Sequence, residues 1–155
     1  MAYLDGTPAT DSDVHDVERL IGRAPMGEFQ VVVRDVNGGP VVLRNAPLLH
    51  DGTPMPTLYW LVGPSQVAAV GTLEASGAVD RVEAELGLEA IADIHRRYAA
   101  ERDALIPPDH DGHRPNGGVG GTRRGVKCLH AHYAHHLAGR RDAVGEWVAR
   151  QLEAQ

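Results

Sequence analysis

Apolar residues recur at helical spacing in six stretches of the chain. Val14, Val17, Leu20 and Ile21 follow the acidic segment Asp11-Ser12-Asp13 and predict a first helix ending near Gly22, ahead of Pro25. Val67, Val70 and Leu73 predict a second, opened by Gly63-Pro64-Ser65 and closed by Gly77. Residues 79–86 give a short third helix, broken by Gly87. Leu88, Ile91, Ile94, Tyr98 and Leu105 line a longer fourth, stopped by Pro107-Pro108. Val126, Leu129, Tyr133 and Leu137 stripe a fifth over residues 123–137, and Val144, Trp147, Val148 and Leu152 a sixth over residues 141–152.

Between the first two helices the pattern changes to strands. Residues 29–33 are a β-branched run, Asn37-Gly38-Gly39 is a hairpin turn signal, and residues 41–43 return. Residues 57–62 are apolar without alternation, which predicts a central strand covered on both faces. The chain therefore reads as α+β: a small antiparallel sheet of about three strands packed against several helices, with a central Cys/His-bearing helix near the C-terminus. Residues 1–10 read as a flexible N-terminal tail, and residues 11–155 as a single α+β domain.

The fifth helix carries the candidate chemistry. Projected at about 100° per residue, Cys128, His132 and His135 share the face opposite the apolar stripe, and His130 and His136 flank that stripe. A surface helix would place Lys and Glu there, so this helix is expected to be covered on most sides. Before it, four glycines occupy the five positions 117–121. They allow left-handed backbone and close approach. Thr122 is a candidate N-cap, and amides at a helix start beside Arg123, Arg124 and Lys127 would attract an anion. The G-x-x-x-x-G-K-[ST] spacing of a P-loop is absent. Residues 107–121 form a long Pro/Gly-rich loop, expected to be either functional or disordered.

Two further chemistries compete. Cys128, in the second turn of the predicted helix beside Lys127, is a candidate nucleophile, with His130 and His135 as proton-transfer groups. The alternative is a buried structural thiol. His132 and His136 are four residues apart, as are Cys128 and His132, and either pair could share a metal ion. Cys128 and His136 lie about 12 Å apart along a helix axis, so an ion would need further ligands, such as His50, Asp51, His95 or the His110/His113 pair. No cofactor is expected; zinc, if bound, would draw on His132, His136 and Cys128. Asp51 is a polar partner for the site or, as Asp before Gly often is, the cap of a turn.

Composition narrows the field. The chain has 155 residues, 43% hydrophobic and 23% charged, as expected for one domain with a real core. Its net charge of −6 disfavours nonspecific nucleic-acid binding. A single cysteine excludes an internal disulfide and points to a reducing cytoplasm. There is neither a signal-peptide pattern nor an apolar run of the ~20 residues that a membrane span needs.

Several phrases together carry a family resemblance. They are Gly22-Arg-Ala-Pro-Met-Gly27, Asp51-Gly-Thr-Pro-Met-Pro-Thr-Leu-Tyr-Trp-Leu61, Leu73-Glu-Ala-Ser-Gly77, residues 95–103, and Val126-Lys-Cys-Leu-His130 with His135. The chain resembles the bacterial domain-of-unknown-function 501 family. The resemblance implies a fold and no activity. It also implies a cytoplasmic protein whose genes often lie near cell-division and polyphosphate-phosphatase genes. The chain departs from the family pattern at Asp35-Val36-Asn37-Gly38, where relatives usually carry Cys-Pro-Cys-Gly, and at Gly63, where they tend to have Cys. A cysteine-rich metal site of that kind cannot be assembled here. His132 and His136 also stand where relatives more often have apolar or small residues.

The function expected from these readings is binding of a small anion or phosphorylated metabolite by Gly117, Gly118, Gly120, Gly121, Thr122, Arg123, Arg124 and Lys127, with Asp51 nearby. One alternative is a non-enzymatic protein-interaction module of cell-division or phosphate-metabolism context, with Trp60 or Trp147 as exposed anchors. The other is a metal-dependent or Cys/His hydrolase-like enzyme.

Overall fold

The computed structural model describes residues 7–155. Among them, α1 (Asp11–Ile21) begins at a reciprocal cap. The Thr10 hydroxyl accepts from the Asp13 N–H and the Asp13 carboxylate accepts from the Thr10 N–H, both at 3.1 Å. The same carboxylate is gripped by both Arg34 Nη groups at 2.9 and 3.0 Å, which ties α1 to the sheet. Gly22, at φ 79°, ends the helix in the left-handed region that an L side chain resists.

The hairpin follows as read. Strands β1 (Phe29–Arg34) and β2 (Pro40–Asn45) pair antiparallel, and β3 (Tyr59–Leu61) joins the far side of β2. Sheet order is β1-β2-β3, so the central strand is β2. The expectation that residues 57–62 form the central strand is thus corrected. Only three of them pair, at an edge, and their unbroken apolar run reflects cover from helices above and below, not strands on both sides.

Helices α2 (Pro64–Ala75), α3 (Ala78–Leu86), α4 (Leu88–Asp103), α5 (Leu129–Leu137) and α6 (Ala143–Glu153) complete the α+β fold. Alternation along β2 divides the core. Leu43 joins Val17, Phe29 and Val62 under α1, while Val42 joins the cluster of Leu58, Val70, Val82, Ile94, Leu129 and Val148 under the other five helices. Of the stretch read as a tail, residues 1–6 lie outside the described residues. Ala9 is tied to the sheet by its N–H to the Phe29 carbonyl at 3.2 Å. No helix among the described residues is long and apolar enough to cross a membrane.

The fifth helix is shorter than its periodicity predicts: it starts at Leu129, not near residue 123. Gly125, at φ 68°, breaks the helical path, and a 3-10 turn at Val119–Gly121 precedes it. Thr122 is therefore not its N-cap; Cys128 holds that position, with extended backbone. The expected cover is present, since Leu129, Ala131, His132, Ala134 and His135 are all buried.

Candidate functional site

The loop before α5 is held down by two buried side chains of α4. Arg102, 1% exposed, donates from Nη1 to the carbonyls of Pro56 and Gly117 at 3.2 and 2.9 Å. His95 accepts the Val119 N–H at Nδ1 (3.0 Å), so its Nε2–H donates to the Gly125 carbonyl (2.7 Å). Burial pushes the His95 pKa down, against the pull of the Gly125 carbonyl. Gly118 passes so close to α4 that a Cβ there would lie 2.4 Å from that of His95. The loop is thus pinned to α4 at Gly118, while Gly117, Gly120 and Gly121 take left-handed backbone.

This changes the anion reading. The Gly118 N–H donates to Thr122 O and the Gly121 N–H to Gly118 O. The amides of Val126 and Leu129 donate to the carboxylates of Glu83 (2.8 Å) and Glu74 (2.7 Å). The anions at this helix start are the chain's own. The expected basis for capture, free amides at a helix N-terminus, is corrected accordingly. Arg123, Arg124 and Lys127 are exposed and part company. Arg123 lines a cleft with Gly117, Gly118, Arg96 and Arg102; Lys127 lines another with Gly120, Cys128 and His130. Asp51 is exposed, its Oδ1 accepting the Thr53 N–H at 2.9 Å, and it lines neither cleft. That backbone bond holds its carboxyl below the ordinary range.

Beside Lys127 the structure assembles a three-residue cluster. His130 Nδ1 lies 3.6 Å from Cys128 Sγ and 3.2 Å from Glu74 Oε1. His130 Nε2–H donates to the Val67 carbonyl at 3.1 Å. One donor atom each from Glu74, Cys128 and His130 falls within 4.8 Å of the others. Contact with Cys128 raises the His130 pKa to about 9, against burial and aided by Val67 and Glu74. The cluster opens on the cleft shared by Trp60, Leu61, Val67 and Lys127.

His132, His135 and His136 are elsewhere. His132 and His135, both buried, donate from Nδ1 to the Asp142 carboxylate at 2.8 and 2.9 Å. Asp142 is itself 1% exposed and caps α6, its Oδ1 accepting the Gly145 N–H at 2.9 Å. Burial alone would raise its pKa, but the two imidazole N–H groups hold it well below the carboxylate range. His136 stacks on Tyr133. The metal set His132, His136 and Cys128 is therefore not brought together; the cap at Asp142 turns His132 into the core, away from Cys128. Nor do His130 and His135 bond to the loop around residues 51–57 or to α4. Glu74 and Asp142 are the partners that sequence reasoning misses. Asp142 carries a signal, as Asp ahead of an amphipathic helix; Glu74 carries none. Trp147, an anchor in the interaction reading, is buried with Nε1 on Glu85, and Trp60 is partly buried.

These groups set a pH dependence of stability. The folded value of His95 lies below its unfolded value of about 6.5, so its contribution is present above that pH and is lost as pH falls. The folded value of His130 is raised to about 9, so its contribution is complete below about 6.5 and is lost as pH rises through 9. Thermal melts of metal-free protein should peak near pH ~6.5 and fall on both sides. His130→Gln should flatten the alkaline limb. A melting temperature that rises steadily from acid to alkaline pH would contradict the His130 assignment, and one that does not fall below pH ~6.5 would contradict that of His95.

Residues 31–150 match the family model described as "Protein of unknown function (DUF501)", and the chain belongs to that family. No curated protein and no solved structure matches the chain.

Proposed function

We propose that this member of the family binds one transition-metal ion, zinc by its donor set, through Glu74, Cys128 and His130, and turns the open position toward the cleft for hydrolase-type chemistry. The observation behind the reading is the convergence of three donor atoms within 4.8 Å. The Val67 carbonyl fixes the His130 tautomer, so that a neutral ring offers its lone pair at Nδ1 to the same point. Without a cation, a thiol, an imidazole and a carboxylate face one another. An ion satisfies all three. Sulfur, nitrogen and oxygen together suit zinc, and three protein ligands are the usual complement of an ion that keeps a position for water or substrate. Trp60, Leu61 and Val67 give that cleft apolar walls, and Lys127 places one positive charge in it.

Cobalt titration of the full chain tests the reading. One ion per chain is expected, with thiolate-to-cobalt absorption that Cys128→Ala abolishes. Glu74→Gln should weaken binding by about tenfold or more. A spectrum with no thiolate contribution, or one unchanged in Cys128→Ala, overturns the metal.

A second reading rests on the 3.6 Å contact of Cys128 Sγ with His130 Nδ1. In it the Cys128 proton moves to His130 Nδ1, leaving a nucleophilic thiolate beside an imidazolium oriented by Val67. It differs in one measurable respect. Rapid alkylation of Cys128 would then persist after chelation and in Glu74→Gln.

A further inference from the structure

On the other side of α5, the Asp142 carboxylate backs a second cleft. Because its Nδ1–H is committed to Asp142 at 2.9 Å, His135 has Nε2 as its remaining ring nitrogen. The ring is only 2% exposed, packed edge-on against Tyr98 at 5.0 Å, yet it forms part of the wall of a cleft of about 300 Å³. The other charged groups of that wall are Arg97, Glu101, Arg140 and Arg141. Arg140 is engaged, by Glu101 at 3.1 Å and by the Tyr59 hydroxyl at 3.0 Å. Arg97 donates one Nη2–H to the Arg141 carbonyl at 3.2 Å. Among the described residues, neither Arg97 nor Arg141 has a carboxylate partner. Three guanidinium groups face one carboxylate on this wall, an excess of positive charge in a chain whose net charge is −6. A dianion with several acceptor oxygens balances that charge and matches the forked donors of arginine.

The geometry points to a binding site for the phosphate group of a small phosphomonoester in this cleft, held by Arg97, Arg140 and Arg141, with the edge of the His135 ring forming part of its wall. Asp142 acts on it as a positioning residue, fixing the His135 ring through Nδ1. The site does not rest on the metal reading: it shares no ligand with Glu74, Cys128 or His130.

The test is titration of the full chain with inorganic phosphate and with phenyl phosphate, following the His135 ring resonances by NMR. Saturable shifts of those resonances are expected with both ligands. Arg97→Ala/Arg141→Ala removes two exposed side chains with no carboxylate partner and should leave the melting temperature unchanged while weakening phosphate binding by about tenfold or more. Glu74→Gln should leave it unchanged. Absence of saturable shifts, or binding of equal strength in the double arginine variant, overturns the proposal. Phosphate binding that Glu74→Gln abolishes would also overturn it, by placing the anion at the other cleft.

Discussion

Asp142→Ala is expected to destabilise the protein by about 3–5 kcal/mol, the range for removing one member of a buried charged cluster. The carboxylate accepts from three donors: His132, His135 and the Gly145 amide. Each is buried, and none has water to turn to when the acceptor is gone. Two penalties add. The N-cap of α6 is lost, worth about 1 kcal/mol on an exposed helix. The two imidazole N–H groups are left unpaired, at about 1–3 kcal/mol each. His132 has no slack to absorb this, because its Nε2 is already buried without a partner. For a chain of this length the loss corresponds to a fall of roughly 6–20 °C in melting temperature. Asp142→Asn should cost less, since the amide oxygen still accepts one imidazole N–H and can still cap the helix. Urea melts of both variants check this; an alanine variant within about 1 kcal/mol of the parent would mean that His132 and His135 find other acceptors.

The contrast between Asp142 and Glu74 marks how far the sequence is legible. Periodicity locates every helix and the hairpin, because burying one face of an element requires apolar residues at its repeat. Boundaries and partners are another matter. Val126 and Leu129 keep helical spacing, yet Gly125 and the pull of Glu83 on the Val126 amide hold Val126 outside the helix. The pairing of Cys128 with His130 is not legible: two residues apart on the predicted helix they would point to different sides, and they meet because Cys128 is the N-cap, with extended backbone. Glu74 completes the cluster from α2, and nothing local distinguishes it from any other surface acid. The same holds for the glycines. Their spacing reports that backbone passes close to something. Whether that is a ligand or the chain's own α4 depends on His95 and Arg102, whose helix pattern carries no mark of the loop they hold.

Gly118→Ala tests which of those it is. Gly118 is not in the left-handed region, its φ being −108°. Space requires glycine there: an added Cβ would lie 2.4 Å from His95 Cβ and 2.6 Å from its Cα, atoms anchored in the middle of α4. Real Cβ atoms do not approach so closely, so the loop must lift. Overpacking of this kind costs about 1–3 kcal/mol. Lifting also parts the Val119 N–H from His95 Nδ1, a buried bond whose loss adds to the cost. The expected total is about 3 kcal/mol, or roughly 6–12 °C. Gly121 supplies the control on the same loop, because its Cβ would meet nothing within 4 Å. Its φ of 82° still strains an alanine, at about 1–2 kcal/mol, so Gly121→Ala should destabilise less. Displacement of the loop in Gly118→Ala should also disturb Cys128, ten residues on, and lower cobalt affinity along with stability. Equal melting temperatures for Gly118→Ala and the parent would show that the loop does not lean on His95, and that its glycines are free for a ligand after all.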